Sequence, residues 1–378
     1  MKYLPLIFLS SITFLTLTAC SEYDYPEQKN TPENVEGDNT PDDGDDNDDV
    51  AVPFSDGGFA GYNFTLTGGA GGDVVTVDNG VALQDALTSA KNSDTPVIIY
   101  VDGVITDANS GNRGKNFDIK DMDNVSIVGV EDRGELSGIG ISIRRAKNVI
   151  IQNLKIHDVP ASFGDAIGIE GDDETFTTGY IWIDHNELHG DLSVGKDDYD
   201  GLIDSKAGAE YITVSYNYIH DHYKSMLNGS SDDDGAGERF ITYHHNHFKN
   251  LESRVPLFRY GKGHLYNNVF ESINSTAINS RMGAELLIEG NVFKNVQNPI
   301  VSFYSREVGF WNVRDNDFAS VTWTTPASGD TRYDASVGST STYEVPYDYA
   351  SYLTTTSEVV DHVMANVGIG VISQSTSE

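Results

Sequence analysis

Arg254 and Arg259 stand at the two ends of the run Arg254-Val255-Pro256-Leu257-Phe258-Arg259, and Lys224 precedes them in the chain. A guanidinium is a planar fork of donors that matches a carboxylate. Two of them on one short segment suit a ligand rich in carboxylates, so the expected partner is an acidic polymer. Three aspartates, Asp165, Asp200 and Asp204, offer the hard oxygens of a Ca2+ site, an ion that takes about six to eight oxygens and accepts some from water or substrate. Cations beside a uronate carboxylate also stabilise the negative charge that builds when a proton leaves the neighbouring carbon. Proton abstraction followed by β-elimination is the chemistry this set suits.

Residues this far apart in the chain meet only if the fold repeats. From residue 120 onward, short Val/Ile/Tyr/Phe-rich segments return with an asparagine at a matching point: Asn153, Asn186, Asn217, Asn246, Asn268, Asn291 and Asn316, in steps of 33, 31, 29, 22, 23 and 25 residues. Gly129 holds the same point in an earlier copy. Propeller blades need about 40 to 45 residues, and leucine-rich repeats would show leucines at fixed spacing. Coils of this length with β-type alternation imply an all-β fold, a parallel β-helix. Stacked coils lie about 4.8 Å apart, so asparagines at one phase form a ladder of amides. His244, His245 and His247 resemble a metal cluster, yet adjacent strand residues face opposite sides and the ladder accounts for them structurally. Gly68-Gly69-Ala70-Gly71-Gly72 lacks the following Lys-Ser/Thr of a phosphate loop and is read as a turn.

A solenoid needs covered ends. Leu83, Ala86, Leu87 and Ala90 follow helical spacing after the cap Asn79, which suits a helix closing the first coil. Val359, Val360, Val363 and Met364 suggest a second short packing helix, and residues 322–352 read as long loops. Counted from the asparagines, Asp165, Asp200 and Arg259 fall 12 to 14 residues on, and Lys224 and Arg254 fall 7 and 8 residues on. The count puts the first three at one phase and the two bases at another, with Asp204 extending the loop of Asp200.

The ordered series Trp182-Ile183-Asp184-His185-Asn186, Asp200-Gly201-Leu202-Ile203-Asp204, Ile212-Thr213-Val214-Ser215-Tyr216-Asn217 with Lys224, then Arg254 to Arg259 and His264, resembles the pectate lyases of polysaccharide lyase family 1. The resemblance implies a right-handed parallel β-helix acting on polygalacturonate. It further implies that Arg254 removes the C5 proton, that Lys224 and Arg259 hold substrate carboxylates, and that Asp165, Asp200 and Asp204 bind Ca2+. This chain departs from the family at two places: Asp200 stands where many members have Glu, and Phe163 where a further aspartate is often found. An arginine base implies an alkaline activity optimum, because a guanidinium holds its proton to very high pH; Lys224 is the alternative base.

The 378 residues carry 58 acidic against 24 basic side chains, a net charge of -34, which disfavours nucleic acid as a partner. Residues 1–19 read as a lipoprotein signal peptide, with one base, an apolar run from Leu4 to Leu17, and Leu17-Thr18-Ala19-Cys20 resembling a bacterial lipobox. Lipidation would then fall on Cys20, the only cysteine, so the membrane is met only through a lipid anchor. Residues 20–56 form an acidic tether: between 21 and 50 there are twelve acidic side chains and one lysine, too polar to bury surface against chain entropy. Its tract Asp42 to Asp49 lacks the full calcium loop with a terminal Glu. The expected layout is this leader and tether, a catalytic β-helix over 57–372 and a tail over 373–378, in an exported monomer at the outer membrane or cell surface. Competing readings keep the β-helix and change the chemistry: a pectin lyase acting on methyl esters, a hydrolase using paired carboxylates, or a non-catalytic binder of acidic glycans.

Overall fold

The computed structural model describes residues 57–172, 175–326, 333–334 and 338–372. The leader, Cys20, the tether and the tail lie outside the described residues. Strand follows strand in one direction: each pairs with the equivalent strand one coil earlier and one coil later, and among the described ladders only Ile300–Ser302 with Tyr333–Asp334 is antiparallel. One sheet of nine strands and one of seventeen result. The larger sheet joins two strand stacks because Val97–Thr106 and Val125–Ser137 run through both.

Period-2 alternation makes this fold. In Ile141–Arg144 and Ile167–Glu170 the isoleucines are buried while their neighbours remain partly exposed, so one face of each strand turns inward. Because the coils are in register, like stacks on like. Val125, Val149, Ile181, Ile212 and Ile241 form one buried column, and Phe248, Phe270, Phe293 and Phe318 form another with ring centroids 4.6 to 5.0 Å apart. This continuous core is what lets a domain of this length hold together without splitting.

The asparagine ladder runs from Asn186 to Asn316. Each Nδ2 and backbone N–H donates to the Oδ1 of the next coil's asparagine at 2.9 to 3.0 Å. Asn153 is not a member. Leu154 holds the ladder phase and donates its N–H to Asn186, while Asn153 sits one residue earlier at φ 57, the left-handed position also taken by His185, Tyr216 and His245. Asparagine tolerates that conformation, so it serves equally well at either of two adjacent positions, which is why counting misassigns it. The Asn246 side chain makes five hydrogen bonds, with Asn217 N–H, Asn217 Nδ2, Val214 O, His244 O and Asn268 Oδ1. Asn246→Ala strands several of these buried groups and should lower stability by about 3 to 5 kcal/mol in urea unfolding; a loss below 1 kcal/mol would show the ladder to be incidental.

Helix Gly80–Ser93 is capped by Asn79, whose side chain accepts from Ala82 N, and buries Leu83, Ala86, Leu87 and Ala90 against the first coil. Helix Val359–Asn366 places Val359 and Val363 against Val269 and Val292 on the flank of the stack. The last coil is covered by the return of Gly338 to Ser341, with Trp311 donating to Gly338 O and accepting from Thr340 N. Among the described residues no helix is long and apolar enough to cross a membrane.

Candidate active site

Of the six charged residues predicted for the site, five belong to the nine-stranded sheet or the turns leading into it, and Lys224 ends the strand Tyr218–Lys224 of the larger sheet, just before Met226–Asn228. In the nine-stranded sheet, strands Ile167–Glu170, Ile203–Lys206, Met226–Asn228 and Leu257–Arg259 are successive neighbours. Asp165 and Asp200 precede the first two, Lys224 and Arg254 precede the second two, and Asp204 and Arg259 lie within strands. The stack therefore gathers all six on one face. The phase count requires one correction: Arg259 stands at the end of its strand, whereas Asp165 and Asp200 stand before the start of theirs. Loops such as 190–200 absorb residues without advancing the strand, so coils of unequal length defeat a fixed count. Lys224 and Arg254 do occupy matching places, Lys224 being in register with Ser253.

Asp165 and Asp204 are buried, 6% and 5% exposed. Asp165 accepts from Gly201 N at 3.0 Å and Asp204 from Leu227 N at 2.9 Å. Burial, and then the neighbouring Asp165 carboxylate, push the Asp204 carboxyl well above the ordinary range, with Arg254 working in the other direction. Burial also raises Asp165, which Lys206 partly offsets from 3.7 Å. Two carboxyls crowded together in a site that penalises their charge form an environment in which a bound cation lowers the cost of ionisation. Asp200 adds a third carboxylate, turned toward Lys224 at 3.6 Å. The donor set is all oxygen, the chemistry that suits Ca2+, although the three aspartates are not among the residue groups whose ligand atoms all lie within 4.8 Å of one another.

The three predicted cations differ in what holds them. Lys224 lies 3.3 Å from Asp197 and 3.6 Å from Asp200. Arg259 donates Nε to Asp232 at 2.7 Å and Nη1 to Gly229 O at 2.8 Å. Arg254 makes no side-chain hydrogen bond or ion pair with any described residue. It adopts φ 62, a left-handed conformation uncommon outside glycine, and its guanidinium opens onto a cavity of about 250 Å³ shared with Arg259, Arg281 and Tyr304. An arginine in a left-handed backbone conformation, with no side-chain partner among the described residues, is available to a ligand.

Four further residues escaped the sequence reading. Lys206, Asp197, Asp232 and His222 all touch the predicted set. Lys206 was legible in principle, two residues beyond Asp204 on the same face of a strand. Buried His222 accepts from Lys224 N at 3.1 Å, and burial with the nearby Lys224 charge lowers its pKa to about 4, so it braces Lys224 as a neutral ring. Asp232 fixes Arg259 so that part of its fork remains free. Asp232→Asn should raise KM about tenfold, the worth of one charge-assisted hydrogen bond, with kcat changed much less; a loss confined to kcat would contradict this role.

Histidines do not build a competing metal centre here. His264 is fully buried between Tyr347 at 2.8 Å and Glu289 at 3.0 Å, away from the six. His247 binds Glu271, and His244 stacks on Tyr266. His157, Asp158 and His189 bring ligand atoms within 4.8 Å of one another, and so do Glu187, His189 and His220. Their rings, however, stack nearly parallel at 4.8 and 4.7 Å. Parallel rings direct their in-plane lone pairs alongside one another, not at a shared ion.

A parallel β-helix with a cleft of aspartates, lysines and arginines on one sheet defines the class as a polysaccharide-active solenoid. The chain belongs to the pectate lyase family: the pectate lyase family model matches residues 49–372. Pectate trisaccharide-lyase of Bacillus licheniformis is 50% identical over 320 residues, covering 85% of this chain and 88% of that one. Pectate lyase A of Emericella nidulans is 38% identical over 307 residues, covering 80% and 84%. Among solved structures, a Bacillus sp. N165 pectate lyase in complex with trigalacturonate superposes with TM-score 0.72 at 37% identity, covering 84% of this chain and 99% of that one.

Proposed function

We propose that this chain cleaves polygalacturonate by Ca2+-dependent β-elimination, with Arg254 as the base. The observation that carries the assignment is the Arg254 guanidinium, which has no side-chain partner among the described residues, is near enough to the Asp204 carboxyl to oppose the rise of its pKa, and lines one cavity with Arg259. Arg254 would take the proton from C5 of a galacturonate unit. The C5–H electrons become the C4=C5 double bond, the C4–O4 glycosidic bond breaks, and the leaving oxygen is protonated, with water able to supply that proton. Lys224 and Arg259 hold substrate carboxylates and so fix C5 against Arg254. Asp165, Asp204 and Asp200 would hold Ca2+, which when bound neutralises a uronate carboxylate and so acidifies the proton on its neighbouring carbon. The same aspartates favour pectate over its methyl ester, since an esterified carboxyl has no charge to share with a cation.

The supporting comparisons are those relatives and the Erwinia chrysanthemi pectate lyase C solved with Ca2+, TM-score 0.70 and 28% identical. Incubation with polygalacturonate and Ca2+ should produce unsaturated oligomers seen by ultraviolet absorbance. New reducing ends without that absorbance would mean hydrolysis and would refute elimination. Export as a lipoprotein anchored through Cys20, with the enzyme standing off on its acidic tether, completes the proposal; it is motivated by the lipobox-like sequence and tested by labelling with a radioactive fatty acid, which a Cys20→Ala variant should not incorporate.

A further inference from the structure

Two loops on the same side of the nine-stranded sheet are joined by one side chain. Residues 229–235 follow strand Met226–Asn228, and residues 303–308 follow strand Ile300–Ser302. Three coil steps separate those strands, through Leu257–Arg259 and Ile278–Arg281, or about 14 Å at the usual strand spacing. Arg306 closes that gap. Its Nη2 donates to Asp232 O and to Asp233 Oδ1, the latter at 2.6 Å, and its backbone N–H donates to Asp232 Oδ2 at 3.2 Å.

Each loop is also held on its own coil. Met282 N donates to Ser305 Oγ at 3.2 Å and to Glu307 O at 2.9 Å, and Gly283 N donates to Val308 O at 3.0 Å. In the other loop Asp234 accepts from Ser230 N at 2.7 Å and pairs with buried Arg239, while the Tyr260 hydroxyl donates to Asp232 O at 2.5 Å. These contacts fix the backbone of both loops. They leave the direction of the Asp232 carboxylate to its two arginine neighbours.

We infer that Arg306 is a positioning residue for substrate binding, acting through Asp232 on Arg259. The inference rests on the reading of the chain as a polygalacturonate lyase in which Arg259 holds a substrate carboxylate. Asp232 divides its oxygens: Oδ1 accepts from Arg259 Nε at 2.7 Å, and Oδ2 accepts from Arg306 N with the Arg306 Nε at 3.7 Å. Arg259 Nη1 is taken by Gly229 O at 2.8 Å, so Nη2 is the edge of the fork that pairs with no described residue. A carboxylate beside a guanidinium favours two parallel hydrogen bonds. By engaging the second oxygen, Arg306 keeps Asp232 from turning both of them onto Arg259. Asp232 then anchors Arg259 at one point and does not compete for the edge that a substrate carboxylate would use.

The Arg306 side chain is 57% exposed, and an ion pair of that exposure contributes little to stability. Its loss should therefore be felt in binding and not in folding.

The test measures kcat and KM on polygalacturonate, with Ca2+ in excess, for the parent, Arg306→Ala, Arg306→Lys, Asp232→Ala and the double variant Asp232→Ala with Arg306→Ala. Arg306→Ala should raise KM about threefold, within the range of an exposed ion pair, while kcat and the melting temperature stay near those of the parent. Arg306→Lys, which keeps a charge but not the fork, should regain part of the loss. In the Asp232→Ala background Arg306→Ala should raise KM no further, because the group through which it acts is gone. An equal rise of KM in both backgrounds, an unchanged KM in Arg306→Ala, or a loss carried by kcat overturns the positioning role while leaving the lyase assignment intact. A parent that forms no unsaturated product overturns both.

Discussion

Arg254→Ala should reduce the rate of unsaturated product formation from polygalacturonate by a factor of about 10² to 10⁴, the usual worth of a positioned general base, with KM changed far less. The split follows from what each cation touches. Lys224 and Arg259 are held by Asp197, Asp200 and Asp232 and remain to bind substrate carboxylates when Arg254 is gone, so binding survives while proton removal does not. Lys224→Ala and Arg259→Ala should show the opposite pattern, with the loss carried mainly by KM. The parent should work best at alkaline pH, because an arginine serves as base only in its deprotonated form. Initial rates with Ca2+ in excess across pH decide the matter. Undiminished turnover in Arg254→Ala, or an optimum in the acid range, would transfer the role to Lys224.

The second large effect concerns Ca2+ and stability together. Burial raises the Asp204 and Asp165 carboxyls above their ordinary value near 3.8, with the Asp165 carboxylate adding to the rise of Asp204 and the Asp200 carboxylate to that of Asp165. In the metal-free protein the folded state therefore binds protons more tightly than the unfolded state. Their contribution is complete below the ordinary carboxyl pKa and is lost as pH rises through the raised folded values. At pH 8 in chelator the pair is a burden on the fold. Asp204→Asn keeps an oxygen for Leu227 N–H and removes the charge, so the variant should then be at least as stable as the parent. With Ca2+ at about 100 times its Kd the order reverses, since the parent alone gains about 2.7 kcal/mol. Activity of the parent should vanish in chelator and return with Ca2+. Melting curves of both proteins at pH 8, with and without the ion, are sufficient. A parent whose melting ignores Ca2+ would remove these aspartates from a metal site.

Much of the molecule was legible in one dimension. Val/Ile alternation, the asparagine period and the cap at Asn79 are local signals with local causes, namely strand pleat, rung-to-rung amide bonding and an orphan helix N–H, so each survives without tertiary information. Repetition also made the long-range problem short: once coils stack, residues tens of positions apart are neighbours by construction, and Lys224 and Arg254 could be paired by counting. Counting failed where coils differ in length. Asn153 fell one residue off the ladder and Arg259 fell at the far end of its strand, because turns take up residues that no period records.

The sequence by itself determined the family, the strand stack and the six charged side chains proposed for the site, since side-chain type, order and period are written there. Tertiary structure alone decided which of those charges are already satisfied. Whether a cation is engaged depends on acids contributed by other coils: Asp232 pairs with Arg259 and Asp197 with Lys224, while no described residue pairs with the Arg254 side chain. Ion pairing falls off over a few ångströms in three dimensions, and no spacing along the chain encodes that distance.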